Sequence, residues 1–263
     1  MADGVERAIA FQRDFTRRRA EVTVRSAHGI AYLTPTLPKV YDLNFLAVDL
    51  GAATTAGELV DEAETILGPR GFGHRKIEVD DELGLSVTPW FREQGWRVEE
   101  LLVMPHSQPA PSVDLARVEE VEPEVLVAIW QAGMRRDIGD PDTVAQLVRS
   151  HLGRRDGVDV RNFATRVDGR VASYCELFSD GRTGQIESVM TEQEFRGRGL
   201  GKAVVAAALA ASQELHDFTF LVADANDWPR EMYRKLGFEP AGTIYRFLLG
   251  PRDDSAPGAV EAP

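Results

Sequence analysis

The stretch that most constrains the fold is a basic, glycine-rich turn between a predicted strand and a predicted helix. The turn spans residues 196–202 (RGRGLGK), after the alternating segment 186–191 and before the apolar run 203–211. Free backbone N–H groups and the dipole at a helix start attract anions, and glycine lets a phosphate approach the backbone closely. The order strand, turn, helix therefore predicts an anion-binding turn.

The composition of the whole chain indicates a globular protein of one large domain or two of ordinary size. Of its 263 residues, 43% are hydrophobic and 27% are charged, and the net charge is -12. This charge argues against a general nucleic-acid binder, which needs a broad basic surface. The chain has no apolar signal core at its start and no apolar run near the roughly 20 residues of a membrane span. We therefore expect a cytoplasmic protein without nucleic-acid or membrane partners.

Cysteine and histidine usage gives no indication of disulfide or metal chemistry. Cys175 is the single cysteine of the sequence, and it is interpreted as a small buried hydrophobic residue. The histidines are scattered, without ligand spacing, at His28, His74, His106, His151 and His216. No bound metal is expected.

The N-terminal segment 5–21 is predicted to be a polar helix that ends near three successive arginines, 17–19. Cations are favoured at a helix C-terminus, so a solvated helix end is preferred over a binding patch. Further along, Asp168-Gly169 between two alternating segments predicts a hairpin of strands 160–167 and 170–178. Strands are also predicted for 115–121 and within 238–249.

The chain contains an internal repeat. Residues 91–96 (FREQGW) resemble residues 233–238 (YRKLGF), and a helix and a strand are predicted before each block. Repeated order of this kind predicts two related domains. We expect domains at 1–110 and 112–250, joined near the proline-rich segment 105–111, with a disordered tail at 251–263.

The two halves differ at the positions that matter for chemistry. Residues 49–54 (DLGAAT) stand in the first half where the second half has the basic glycine turn. Phe91 stands where the second half has Tyr233. The first half is therefore predicted to lack both the phosphate cradle and the phenolic proton.

Two motifs in the second half carry a family resemblance. The first is an arginine, two residues, a glycine, one residue and a glycine, at Arg196, Gly199 and Gly201. The second is Asn226 followed seven positions later by Tyr233 and then by the segment 235–238 (KLGF). With this element order, residues 113–250 resemble the GNAT superfamily of acetyl-coenzyme A-dependent N-acetyltransferases. The resemblance implies an α/β (α+β) fold of two such domains, with mixed, mostly antiparallel sheets flanked by helices and a degenerate N-terminal copy.

The resemblance also implies which residues hold acetyl-CoA. Backbone amides of the turn would bind the pyrophosphate, the end of the preceding strand would pair with the pantetheine arm, and Asn226 would contact that arm. A backbone N–H at the strand end would polarise the thioester carbonyl. The implied cofactor-binding residues are Val189, Met190, Thr191, Arg196, Gly197, Arg198, Gly199, Leu200, Gly201, Lys202 and Asn226.

Two catalytic residues follow from the same resemblance. Tyr233 would protonate the departing thiolate, and Glu187, on the strand before the turn, is the best match for the base that accepts the amine proton. Some members use a Glu five positions before the Asn, but that position is Leu221 here. Asp224 lies close by and is also interpreted as a turn cap. The structural alternatives are a half-buried packing role for Tyr233, a solvated or salt-bridged strand role for Glu187 and a helix-cap role for Asn226.

The sequence thus predicts transfer of an acetyl group from acetyl-CoA to a primary amine of a small molecule or peptide, by direct attack in a ternary complex. One alternative is another acyl-CoA or a mycothiol synthase-like role. Another is a non-catalytic CoA-binding sensor module. The acceptor and the oligomeric state do not follow from the sequence.

Overall fold

The computed structural model describes residues 2–108 and 112–251. The described part of the first half contains α1 (Ala2–Arg19), β1 (Val22–Arg25), β2 (Gly29–Leu33), β3 (Phe45–Val48), α2 (Ala56–Leu67), β4 (Arg75–Asp80), α3 (Asp81–Glu93) and β5 (Arg97–Pro105). The second half contains β6 (Val118–Val121), α4 (Pro123–Asp137), α5 (Pro141–Leu152), β7 (Asp159–Val167), β8 (Arg170–Ser179), β9 (Thr183–Thr191), α6 (Leu200–Leu215), β10 (Phe218–Asp224), α7 (Pro229–Lys235) and β11 (Gly242–Leu249).

All eleven strands of the described residues form one sheet, in the order β1-β2-β3-β4-β11-β5-β10-β9-β8-β7-β6. Apart from β6, this order is symmetric about the β11–β5 pair. On each side, one parallel pair (β3 with β4, β9 with β10) is flanked by antiparallel pairs. The predicted mixed, mostly antiparallel sheet flanked by helices is confirmed, and the symmetric order agrees with a degenerate N-terminal copy.

The two halves exchange their last strands at the centre of the sheet. Strand β5 of the first half pairs with β10 of the second, and β11 of the second half pairs with β4 of the first. β5 and β11 also pair with each other over seven residue pairs, from Gly242 opposite Val103 to Leu248 opposite Arg97. The halves therefore share one continuous sheet, and the domain boundary near residue 111 stays a prediction.

Helices cover both faces of the sheet. α2, α3, α6 and α7 pack on one face, around two apolar clusters that contain Phe91, Phe247, Leu209 and Phe238. On the other face, α1 lies across the centre, where Phe11 contacts Phe220 edge to face at 5.8 Å. α4 packs on β7 and β8 of the same face, and α5 packs on α4. Among the helices of residues 2–108 and 112–251, none combines the length and apolar character that crossing a bilayer requires.

Local sequence signals account for several element boundaries. Thr55 caps α2 in a reciprocal capping box with Glu58. Asp168 and Gly169 both have positive φ, as the two-residue hairpin turn requires, so the predicted β7–β8 hairpin is confirmed.

Two predicted strands are shorter in the structure. Strand β6 covers Val118–Val121 rather than 115–121. In the segment 238–249, Phe238 makes only an isolated bridge with His106, and the regular strand begins at Gly242. Pro240 explains this interruption, because proline has no N–H to donate to a strand ladder. The predicted tail, apart from Pro251, and residues 109–111 of the predicted linker lie outside the described residues.

Candidate functional site

The glycine turn has the backbone conformation that its sequence predicts. Gly197 and Gly199 have φ of 77° and 75°, and Gly199 is the N-cap of α6. A Cβ on either glycine would meet no atom within 4 Å, so the requirement for glycine there is conformational. At Gly201 the requirement is steric, because a Cβ would lie 3.0 Å from Thr191 Oγ1 on β9. Together they close the turn and hold α6 against the strand.

The turn presents a row of free donors. In the described structure, the backbone N–H groups of residues 197–202 donate to no protein acceptor. They are concentrated at the start of the 16-residue helix α6, whose dipole adds positive potential there. Such an arrangement fits a phosphate or pyrophosphate group.

A cleft of about 600 Å³ lies over this turn, and we call it the glycine-turn cleft. It is walled by the end of β9, the turn and the start of α7. Nine of the eleven predicted cofactor-binding residues line it: Val189, Met190, Thr191, Arg196, Gly197, Gly199, Leu200, Gly201 and Lys202.

Arg198 and Asn226 do not line the glycine-turn cleft. The guanidinium of Arg198 lies 5.3 Å from the centre of the Phe195 ring, and it donates to the backbone oxygen of Glu194. Asn226 lies on an exposed turn, and its N–H donates to Asp224 Oδ1 at 2.7 Å. Asp224 thus caps a turn, as its alternative interpretation expects. Asn226 does not cap α7, whose N-cap is Trp228.

A second cavity opens where β9 and β10 separate, and we call it the interstrand pocket. The parallel pairing ends at Ile186 and Leu221, and a bulge follows at Ser188, whose φ is +56°. The pocket has a volume of about 250 Å³ between the two diverging strand ends. Beyond Ile186, the β10-facing edge of β9 carries no strand partner among the described residues. This open edge could pair with an extended ligand arm.

Tyr233 lies at the junction of these two cavities. It is 7% exposed and contributes to the walls of both. Burial, with the nearby Glu187 carboxylate, raises the pKa of the phenol well above its usual value. Because of this raised pKa, the phenol keeps its proton at neutral pH. The hydroxyl makes no hydrogen bond to the described residues, so this proton is free to be donated.

Glu187 lies on β9, in the wall of the interstrand pocket. Gln185 Nε2 donates to one carboxylate oxygen at 2.6 Å, and the N–H of Ser188 donates to the other at 3.2 Å. No cation of the described residues forms an ion pair with Glu187. Of its predicted structural alternatives, a salt-bridged strand residue is therefore wrong, while a solvated strand residue agrees with its partial exposure.

A third cavity of about 250 Å³ lies on the face covered by α1, and we call it the charged chamber. Its walls carry four cationic side chains: Arg19, Lys76, Arg154 and Arg246. They also carry three carboxylates: Asp42, Glu78 and Glu187. The Asp42 side chain is 74% exposed.

The structure separates the three arginines at the end of α1. Arg17 and Arg18 are exposed and pair with Asp14, as expected for a solvated helix end. For Arg19 that expectation is wrong, because it is half-buried and lines the charged chamber. Burial, with the neighbouring Arg154, lowers the pKa of Arg19 to about 10, so it stays protonated at neutral pH. No local sequence signal marks this difference, because it depends on packing against the segment after α5.

Neighbouring members of these three cavities share wall residues. Val189, Asp227, Pro229 and Tyr233 are common to the glycine-turn cleft and the interstrand pocket. Glu187 and Val222 are common to the interstrand pocket and the charged chamber. Tyr233 is thus shared by the glycine-turn cleft and the interstrand pocket, and Glu187 by the interstrand pocket and the charged chamber.

The first half contains a cavity at the corresponding position, where β3 and β4 separate, with different chemistry. Asp49, Asp80, Asp81 and Glu82 contribute acidic groups to its walls, which would repel a phosphate. Phe91, the counterpart of Tyr233, is fully buried and stacks on Phe247 at 4.0 Å. The glycine turn and the phenol therefore occur together in the second half.

Two further observations concern cysteine and metal chemistry. Cys175 is fully buried, its Sγ donates to the backbone oxygen of Val204, and burial raises the pKa of the thiol. It is a packing residue, as expected. Within the ranges that the structure describes, no group of three or more His, Cys, Asp or Glu side chains is placed to hold a metal ion.

Comparison with known proteins agrees with this geometry. Residues 126–238 match the model of the acetyltransferase (GNAT) family. A GCN5-related N-acetyltransferase from Kribbella flavida has a similar structure, with a TM-score of 0.63 and 18% identity over 94% of this chain and 95% of that one. A functionally unknown conserved protein from Staphylococcus epidermidis ATCC 12228 gives a TM-score of 0.69 and 16% identity, over 87% and 93%.

A tandem GNAT protein from the clavulanic acid biosynthesis pathway gives a TM-score of 0.55 and 15% identity, over 90% of this chain and 86% of that one. At these identities the structural likeness shows the fold alone. The family match covers the glycine turn, Glu187 and Tyr233. Residues 126–238 of the C-terminal half are therefore similar to the acetyltransferase (GNAT) family, and this likeness supports an acyltransferase function.

Proposed function

We propose that the protein transfers an acetyl group from acetyl-CoA to a primary amine of a small molecule or peptide, by direct attack in a ternary complex. One observation carries the proposal: the glycine-turn cleft, the interstrand pocket and the charged chamber share wall residues, with Tyr233 and Glu187 at the two junctions. Two substrates that enter from opposite ends would meet beside these residues.

The residues of the turn fit the phosphate end of acetyl-CoA. Free N–H groups from Gly197 to Lys202, with the side chains of Arg196 and Lys202, would hold the pyrophosphate. The open edge of β9 would accept the pantetheine arm as an added strand. When bound, the thioester supplies an acyl carbon that an amine can attack.

Glu187 would accept one proton in this reaction, and Tyr233 would donate another. Glu187 takes the proton that the attacking amine loses as the N–C bond forms, directly or through one water. Tyr233 gives its phenolic proton to the sulfur as the C–S bond breaks, so free CoA leaves as the thiol. The raised pKa of Tyr233 keeps that proton in place until the thiolate develops.

We also propose the domain arrangement 1–110 and 112–250, with the first half as a degenerate copy that completes the acceptor site. This rests on the charged chamber, whose walls include α1 and β4 of the first half and β9 of the second. A cytoplasmic location stays a prediction.

The test combines binding with turnover on the full-length protein. Acetyl-CoA at 100 times its Kd is expected to add about 2.7 kcal/mol to the free energy of unfolding, visible as a thermal shift. A panel of primary amines with a free-thiol readout is expected to give acceptor-dependent release of CoA. Absence of a shift at saturating acetyl-CoA contradicts the cofactor assignment, and a shift without turnover of any amine favours the sensor alternative.

A further inference from the structure

The charged chamber contains two charged groups that its ion pairs do not include. Lys76 pairs with Asp42, and Arg246 pairs with Glu78 at 2.9 Å. Arg154 pairs with the buried Glu176. After this pairing two charged chamber residues, Arg19 and Glu187, form no ion pair with any described residue. One positive and one negative group thus line a common cavity, and neither forms an ion pair with a described residue.

Arg19 is held in a fixed position with most of its donors free. Its Nη2 donates to the backbone oxygen and the Oγ of Ser150, at 2.7 and 3.0 Å. Its guanidinium carbon lies 4.9 Å from the centre of the Phe15 ring. Gly157 makes room for this packing, because a Cβ there would lie 2.9 Å from Arg19 Cγ. Nε and Nη1 donate to no described residue, so the planar group can accept a carboxylate.

Gln185, which donates a hydrogen bond to Glu187, provides an independent observation. It lines the charged chamber, is 2% exposed, and carries a buried Oε1 without a hydrogen-bond partner among the described residues. The Glu187 carboxylate fixes the amide orientation, because it accepts from Gln185 Nε2, and the flipped amide would oppose two oxygens. The missing partner of Oε1 is therefore a hydrogen-bond donor, which a protonated amine can supply.

We propose that the acceptor is a small amino acid, bound as a zwitterion in the charged chamber with its carboxylate on Arg19 and its amine toward Glu187 and Gln185 Oε1. This rests on the proposed acetyl transfer and narrows its acceptor. The chamber volume of about 250 Å³ corresponds to roughly eight water molecules, so a small amino acid fits inside it. Deprotonation at Glu187 leaves the amine beside Tyr233, where the acyl carbon would lie.

The first experiment compares matched acceptors on the full-length protein with acetyl-CoA. The probes are the common L-amino acids, β-alanine and γ-aminobutyrate, each beside its amide, which keeps the amine and lacks the carboxylate. We expect at least one free amino acid to release CoA with a kcat/KM roughly 10- to 100-fold above that of its amide, as loss of a charge-assisted contact predicts. Equal turnover of acid and amide overturns the proposal.

The second experiment uses Arg19→Gln, with Arg17→Gln as the matched control two residues away. Arg19→Gln is expected to raise KM for the amino acid roughly 10- to 100-fold with little change in kcat, and to remove the preference for acid over amide. Arg17→Gln is expected to behave as the parent protein, because Arg17 is exposed and pairs with Asp14. An unchanged KM in a folded Arg19→Gln protein contradicts the assignment.

Acetyl-CoA binding is measured by isothermal titration calorimetry on the same proteins. It distinguishes a failure of the proposed acetyl transfer from a failure of the amino-acid acceptor. Parent protein that does not bind acetyl-CoA contradicts the proposed function itself. Parent protein that binds acetyl-CoA and acetylates only amines without a carboxylate contradicts the amino-acid acceptor alone. Arg19→Gln is expected to keep its affinity for acetyl-CoA, because Arg19 does not line the glycine-turn cleft.

Discussion

Glu176 and Glu187 are register partners on the neighbouring strands β8 and β9, yet Arg154 forms an ion pair with Glu176 only. Arg154 also donates to the Oγ of Ser188, at the bulge that follows Glu187. Glu176 is 1% exposed, and burial raises its pKa against the opposing effect of Arg154. One carboxylate is thus part of the structural core, while its neighbour faces two cavities.

Arg154→Gln is expected to destabilise the fold, because it leaves Glu176 buried without its cation. Breaking one side of a buried ion pair costs about 3–5 kcal/mol. The measurement is the free energy of unfolding in urea at neutral pH. Arg155→Gln is the matched control, since Arg155 and its partner Glu122 are exposed and such pairs contribute about 0–1 kcal/mol. Equal effects of the two substitutions would show that the Glu176 pair is not a structural element.

Tyr233→Phe is expected to lower kcat about 10²-fold or more while leaving the Kd for acetyl-CoA nearly unchanged. The phenyl ring keeps the packing against Phe238, and only the proton donor is lost. Steady-state kinetics with the thiol readout, together with calorimetric binding, checks both halves of this expectation. Tyr245→Phe, in the wall of the first-half cavity, serves as a control that should retain full turnover. An unchanged kcat in Tyr233→Phe would show that Tyr233 is not the acid that protonates the thiolate.

Gly199→Ala is expected to weaken acetyl-CoA binding and to destabilise the protein. A residue with a Cβ at φ of 75° costs about 1–2 kcal/mol, and relaxation of the turn would move the N–H groups. Gly133→Ala is the control inside α4, where a Cβ meets only Arg136 Nη2 at 3.8 Å. That change is expected to stabilise by about 0.5–1 kcal/mol and to leave binding unaltered. Calorimetry and thermal unfolding on both variants measure the two effects. An unchanged affinity for acetyl-CoA in Gly199→Ala contradicts the proposal that this turn binds the pyrophosphate.

Acid is expected to destabilise the fold through His74. This side chain is 1% exposed, its Nε2 contacts the backbone oxygen of Asn44 at 2.8 Å, and burial lowers its pKa to about 4. The unfolded chain, with a histidine pKa of 6.5, takes up the proton first, so stability is complete above pH 6.5 and falls as the pH drops toward 4.

Between pH 6.5 and pH 5 the free energy of unfolding is expected to fall by about 2 kcal/mol through His74, since each pH unit lowers it by about 1.4 kcal/mol. Urea unfolding at pH 8, 6.5 and 5 measures it. His74→Phe keeps an aromatic ring stacked on Tyr41 and cannot titrate, so its stability is expected to vary less over this range. The same pH slope in both proteins would show that His74 is not the group responsible.

The fold was predictable as far as it depends on local signals. The hairpin at Asp168-Gly169, the turn before α6 and the repeat around Gly95 and Gly237 each follow from residues close in sequence. The pairing of β5 with β10 was not predictable in this way. A period-two pattern specifies which face of a strand is buried, but it does not specify which distant strand lies beside it.

The site was predictable at the turn and at Tyr233, where residue types and spacing carry the chemistry. Arg19, Arg154 and Gln185 were missed for a common reason. Their roles depend on contacts with other elements, such as Arg19 with Ser150 and Arg154 with Glu176, and neither pair has a recognisable sequence spacing. Within the run 17–19, the helix rotation decides that the third arginine turns inward while its neighbours face solvent.

The exchanged strands at the centre of the sheet have a consequence for biosynthesis. β11 is the last strand of the described residues, and it is inserted between β4 and β5, which are translated about 140 to 170 residues earlier. Until then, β4 and β5 each expose an edge without its native partner. The N-terminal half therefore cannot complete its sheet until β11 has been synthesised.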